Sequence, residues 1–243
     1  MRKGLDVLHH VTAICSDARQ TVQFYREIGF HLVKKTVNFD DPVSYHLYFG
    51  DEVGHPGTLM TFFEWPDAGP GRIGRGAAAS VALATPAVGE PREVEDPDGL
   101  RLELHPGEQA ELLWVTAFGE PDLYDGLLAE RSQLRFAFGA AQHAVVGTGS
   151  VHHIAWRMTD ADEQLAWRER AAGMGLRPTP PLDRKYFESV YFRMADGLLF
   201  ELATDPPGFV VDELPESLGG SLSLPEWLEA ERSTIERILT PLS

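Results

Sequence analysis

Apolar and polar positions along the chain change period several times, and the changes mark out elements. Residues 8–15 alternate as a strand does. Asp17 then stands where a helix cap is expected, and Thr21, Phe24, Tyr25 and Ile28 recur on one helical face before Gly29, which predicts a helix over 18–28. Apolar, β-prone stretches follow at Phe30–Val37, Tyr45–Phe49 and Thr58–Phe63. They are separated by the turn residues Asp40-Asp41-Pro42 and Gly54-His55-Pro56-Gly57. The order is βαβββ. It returns late in the chain: a strand at 151–158, a helix opened by Asp160 or Asp162 and ending near Gly173 and Gly175, a break at Pro178–Pro181, and strands at Ser189–Met194 and Leu198–Ala203 joined by Ala195-Asp196-Gly197.

The middle is shorter. Ala78–Ala84, Leu100–Leu104, Leu112–Phe118 and Gln133–Phe138 read as strands, with a short helix expected at Asp122–Glu130. The spacing leaves no room for a full helix and further strands in each unit. In the tail, Ser223 and Glu226 have the spacing of a capping box, and Leu224, Trp227, Leu228, Ile235, Ile238 and Leu239 form a helical stripe. Such a stripe usually packs on its own domain; a homo-oligomer contact is the alternative. The expected fold is α+β, made of two complete outer βαβββ modules and two trimmed central ones in cupped mixed sheets, plus a C-terminal helix. The expected divisions are 1–75, 76–149, 150–214 and 215–243.

The repeat carries chemistry. Leu8-His9-His10-Val11-Thr12-Ala13 and Val151-His152-His153-Ile154-Ala155-Trp156 open the two outer modules, and Thr61 and Glu201 each stand four residues after a glycine, Gly57 and Gly197. Strand alternation puts His10, Thr12 and Ile14 on one face and His9, Val11, Ala13 and Cys15 on the other; His153 and Ala155 likewise oppose His152 and Ile154. If the modules pack about a pseudo-twofold axis, His10 and His153 meet, and Glu201 joins them. A lone Glu in Leu199-Phe200-Glu201-Leu202 is costly to bury without a partner. Two imidazoles and one carboxylate suit non-haem Fe(II), with Mn(II) and Zn(II) as alternatives.

Composition narrows the partners. A net charge of −16 disfavours nucleic acid and anionic membranes. No run of 18 apolar residues offers a membrane span, and Met1-Arg2-Lys3-Gly4 leads into a strand rather than a signal segment. A single cysteine, Cys15, leaves no internal disulfide and fits a cytoplasmic location. His31, His46, His55, His105 and His143 lack a repeated partner and read as structural or solvent-facing.

The motifs resemble the vicinal-oxygen-chelate (glyoxalase/bleomycin resistance/extradiol dioxygenase) superfamily, and within it the Fe(II)-dependent ring-cleaving dioxygenases of hydroquinones. The stretches that carry this are Leu8–Thr12, Val33–Val37, Tyr45–Glu52, Val151–Ala155, Gln164–Arg170, Asp183–Phe187, Val190–Arg193 and Leu199–Phe209. The resemblance implies iron held by His10, His153 and Glu201. It implies supporting roles for His9, Thr12 and His152, a pocket role for Arg184, and a hydrogen bond from Tyr191 to a substrate oxygen. Substrates would be a small 1,4-dihydroxybenzene and O2. A different metal-dependent isomerase or hydrolase, or a non-catalytic binder of small aromatics, are the alternatives on the same fold. Because full-length relatives have four complete modules, trimming of the centre predicts an open pocket.

Overall fold

Residues 4–140 and 142–242 are described by the structure, a computed structural model. Met1–Lys3, part of the expected lead into the first strand, lie outside the described residues. The first module comprises β1 (Leu8–Cys15), α1 (Ala18–Glu27), β2 (His31–Asn38), β3 (Asp41–Gly50) and β4 (Leu59–Glu64). The Asp17 side chain accepts from the backbone N–H groups of Arg19 and Gln20 at the start of α1, and Gly29 takes a left-handed φ of 85° just past its end. The centre contributes β5 (Ala77–Thr85), β6 (Arg92–Glu95), β7 (Arg101–Pro106), β8 (Glu111–Phe118) and β9 (Leu134–Ala137). The late module comprises β10 (Val151–Met158), α2 (Ala161–Gly173), β11 (Leu182–Asp183), β12 (Glu188–Arg193) and β13 (Leu199–Thr204), and α3 (Arg232–Ile238) is the last element among the described residues.

Two sheets result. The eight-stranded sheet runs β11-β12-β13-β10-β1-β4-β3-β2 and joins the outer modules through the antiparallel β1–β10 pair. The five-stranded sheet runs β6-β7-β5-β8-β9, and its antiparallel β5–β8 pair repeats that junction without helices of the α1 kind. Val11, Ala13, Ile154, Trp156, Val81, Leu83 and Val115 share the apolar core between the sheets and helices. Gln164 is fully buried on α2, and its amide donates to the carbonyls of Glu188 and Leu202, both at 2.8 Å, so the helix is keyed to β12 and β13 by polar as well as apolar contact.

Three local expectations are corrected. The stretch Asp122–Glu130 is not a helix but a 3-10 turn over Pro121–Tyr124, stopped by Gly126 with φ 75°. The capping box at Ser223 does not form: Pro225 is the residue that precedes a 3-10 turn over Glu226–Glu231, and Ser223 Oγ donates instead to Glu213. The stripe is consequently split: Leu224, Leu228, Ile235 and Leu239 are buried, whereas Trp227 and Ile238 are 55% and 54% exposed. β6 carries the sequence Arg-Glu-Val-Glu on a sheet edge, with too few apolar positions to announce a strand.

Candidate metal centre and active site

The registers of the β1–β10 pair build the site. Leu8 pairs with Trp156 and His10 with Ala155, so His9 is an extra residue in β1. Thr12 pairs with His153 and Ala13 with Val151, so His152 is an extra residue in β10. These are two β-bulges related by the pseudo-twofold. Each breaks the alternation and turns two consecutive histidines towards one another. His9 Nδ1 lies 2.9 Å from His10 Nδ1, and His152 Nδ1 lies 2.8 Å from His153 Nδ1. The ring pairs are superimposable in kind, with centroids 5.1 Å apart and planes at 79° in both. The expectation that His9 and His152 point to the face opposite their neighbours is therefore wrong, and the bulge is the reason.

With both Nδ1 atoms engaged, the Nε2 atoms of His10 and His153 face each other at 3.4 Å. Glu201 Oε2 is 3.1 Å from the first and 2.9 Å from the second, and all three residues are buried. Neither contact has the direction of a hydrogen bond, and Oε2 has no hydrogen-bond partner, whereas Oε1 accepts from the Ser189 hydroxyl. Burial would raise the Glu201 carboxyl, but His10 and His153 more than offset it and hold the group well below its ordinary value. The imidazole of His153 is itself pushed down by burial. Three donor atoms converge on one buried point, and the Glu201 oxygen among them has no hydrogen-bond partner, which fits a cation.

Each remaining candidate has a place. For Nε2 of His10 and His153 to present a lone pair, Nδ1 must carry the proton and donate to the preceding histidine. Burial, then the neighbouring His10, keeps His9 neutral, and burial with His153 pushes His152 down to about 3, so each has the lone pair that role requires. Thr12 Oγ1 is 2.7 Å from Thr61 Oγ1. Tyr191 packs edge-on to His153 at 5.6 Å; burial, then the charge of Glu201, raises its phenol, so it is a proton donor at neutral pH and not a base. The Arg184 guanidinium lies over the Tyr191 ring and donates to Asp40 at 2.9 Å.

Sequence reasoning missed Ser189, His46 and Tyr48. Ser189 fixes Glu201. His46, half-buried on β3, lines the cavity: its Nδ1 is 2.9 Å from the Tyr48 hydroxyl and its Nε2 is 3.1 Å from Thr61 Oγ1. The signal available was the repeat itself, since Tyr48 pairs with Thr61 as Tyr191 pairs with Glu201. His10, His153, Tyr191, Arg184, His46 and Tyr48 line one cavity with Asn38, Phe39, Phe63 and Phe187. It offers about 20 Å³ to the centre of a water-sized sphere, so the expected open pocket is not found. Every lining residue comes from the outer modules, and trimming the centre leaves the cavity walls untouched. A wider cleft of about 620 Å³ lies over the five-stranded sheet, where Ser80, Glu93, Glu95, Arg101 and Glu103 offer no histidine.

Comparison with known proteins agrees with this geometry. Residues 7–70 match the family described as the glyoxalase/bleomycin resistance protein/dioxygenase superfamily. MhqO of Bacillus subtilis (strain 168), by its name a presumed ring-cleaving dioxygenase, is 36% identical over 99% of this chain and 98% of its own length. That alignment runs over 305 positions against 243 residues here, so the relative carries segments this chain lacks. The chlorohydroquinone/hydroquinone 1,2-dioxygenase of Sphingobium indicum is 30% identical over 96% of this chain and 95% of that protein. A crystal structure of a presumed dioxygenase from Bacillus subtilis superposes with a TM-score of 0.90 at 32% identity, over 100% of this chain and 99% of that one. Glyoxalase I from Zea mays, at 14% identity and a TM-score of 0.57, shares the fold. The chain belongs to the ring-cleaving dioxygenases of the glyoxalase superfamily. No helix among the described residues is long and apolar enough to cross a membrane.

Proposed function

We propose that this protein is an Fe(II)-dependent dioxygenase that opens the ring of a 1,4-dihydroxybenzene with O2. The observation that carries the reading is the convergence of His10, His153 and Glu201 on one buried point in a chain whose relative is named for hydroquinone cleavage. Three protein ligands on one side leave positions for substrate oxygen and O2. Bound Fe(II) supplies Lewis acidity towards a phenol oxygen and an electron path between ring and O2.

The chain's own residues do the rest. His9 and His152 fix the orientation and tautomer of the two ligand histidines. Ser189 holds the Glu201 carboxylate in the plane that faces them. Tyr191, kept protonated by burial, donates a hydrogen bond to a substrate oxygen that gains charge. Phe187 packs on both His9 and His10 and keeps water from that side. The Arg184–Asp40 pair runs from the cavity wall to solvent, and the ring enters by parting it.

The test is anaerobic loading with Fe(II), Mn(II) or Zn(II), followed by oxygen-electrode assays with hydroquinone, methylhydroquinone, catechol and a buffer blank. The Fe(II) protein should consume one O2 per ring lost, with hydroquinones preferred to catechol. Turnover without O2 uptake would instead favour a metal-dependent isomerase or hydrolase.

A further inference from the structure

The pseudo-twofold makes two unlike half-sites from one plan. Ala155 pairs with Glu201, and Glu201 with Tyr191. In the other half Thr12 pairs with Thr61, and Thr61 with Tyr48. The second half has lost the carboxylate but kept the tyrosine, and it has gained His46. Four groups then form one chain: Tyr48 hydroxyl to His46 Nδ1 at 2.9 Å, His46 Nε2 to Thr61 Oγ1 at 3.1 Å, and Thr61 Oγ1 to Thr12 Oγ1 at 2.7 Å.

Both nitrogens of His46 are used, so the imidazole is an anchor and not itself a substrate contact. The Tyr48 hydroxyl has one bond left. If it donates to His46 it can still accept, and if it accepts from His46 it can still donate. Either way its complement is another hydroxyl. An aromatic ring separates this pair from the ligand histidines along both walls. Phe63 lies 4.4 Å from His46 and 6.3 Å from His153, and Phe187 lies 6.3 Å from Tyr48 and 5.2 Å from His10. A substrate ring of the same kind, with one oxygen at the ligand end, brings an oxygen at its far end to Tyr48.

We propose that Tyr48, anchored by His46 and Thr61, is the specificity-determining residue that receives the second hydroxyl of a 1,4-dihydroxybenzene. This rests on the ring-cleaving reading above. A site built to bond a hydroxyl rejects an analogue without it, because the buried polar group is then left unpaired.

The test uses the full chain loaded with redox-silent Zn(II) under nitrogen, titrated calorimetrically with hydroquinone and with 4-methylphenol, which replaces one hydroxyl by a methyl of similar size. The wild type should prefer hydroquinone by about tenfold or more. Tyr48→Phe should bind the two equally, with 4-methylphenol affinity unchanged or improved. His46→Phe, which removes the anchor and leaves the hydroxyl, should reduce the preference partway, and it keeps the test decisive if Tyr48→Phe does not fold. Retention of the full preference in either folded variant overturns the role of Tyr48 while leaving the dioxygenase reading intact. Failure of the wild type to bind either phenol overturns the reading of the pocket itself.

Discussion

Lys34 is the clearest place to measure what holds the pocket shut. Its side chain is 0% exposed on β2, and its ammonium donates to Asp212 at 2.7 Å and to Glu213. Both acids lie on the segment that follows β13, which also returns Phe209 against Tyr48 and Tyr186, each at 5.1 Å. Lys34→Met keeps most of the apolar stem and removes the charge. Breaking a fully buried pair costs about 3–5 kcal/mol and breaking a surface pair about 0–1 kcal/mol. Here the cation is buried but Asp212 is 22% and Glu213 8% exposed, and Asp212 keeps Lys185 at 2.6 Å. An intermediate loss of about 2–3 kcal/mol follows, or about 4–12 °C in melting temperature for a chain of this size. Burial raises both carboxyls, but the ammonium contacts outweigh it and hold them below their ordinary 3.8 and 4.5. Depressed carboxyls contribute fully above those ordinary values and lose the contribution as pH falls through the folded-state values. The deficit of Lys34→Met should therefore be complete at pH 7 and shrink below about pH 4.5. Urea unfolding of metal-free protein at pH 7 and pH 4 checks this. A loss under about 0.5 kcal/mol at pH 7, or a deficit that grows in acid, would refute the reasoning.

Asp96→Asn should stabilise the protein above neutrality. Burial lifts the Asp96 carboxyl to about 6, and Asn keeps the acceptor that receives the N–H groups of Asp98 and Leu100. The cost of the ionised form is absent below 3.8 and complete above about 6, so the gain should be about 1–3 kcal/mol at pH 8 and vanish near pH 4 by thermal melts. Ser189→Ala leaves Glu201 Oε1 without its donor and should weaken metal affinity about 10–100-fold in chelator competition, with secondary structure unchanged by circular dichroism. His9→Phe and His152→Phe should give losses of similar size to one another, since the two bulges are equivalent.

The duplicated plan was legible because both outer modules repeat period, turn and chemistry together. β1, β10 and the helices they precede are fixed by alternation and by the Asp17 and Asp160 caps. The triad was legible for the same reason. What alternation hid was the pair of bulges: a bulge obeys no sequence period, and its only trace is the doubled histidine, which reads as a ligand beside an outward neighbour. His46 was hidden because its counterpart in the late module is a serine, Ser189, so a search for repeated histidines passes over it. The tail failed where a proline intervenes, since Pro225 separates Ser223 from the turn it would cap.

Everything proposed for the site depends on three side chains sharing one ion. Elemental analysis of protein loaded with Fe(II) under nitrogen, then desalted, tests it most directly. The account predicts one metal per chain in the wild type and essentially none in His153→Ala and Glu201→Gln, each shown to be folded by circular dichroism. Full metal content in both variants would contradict it.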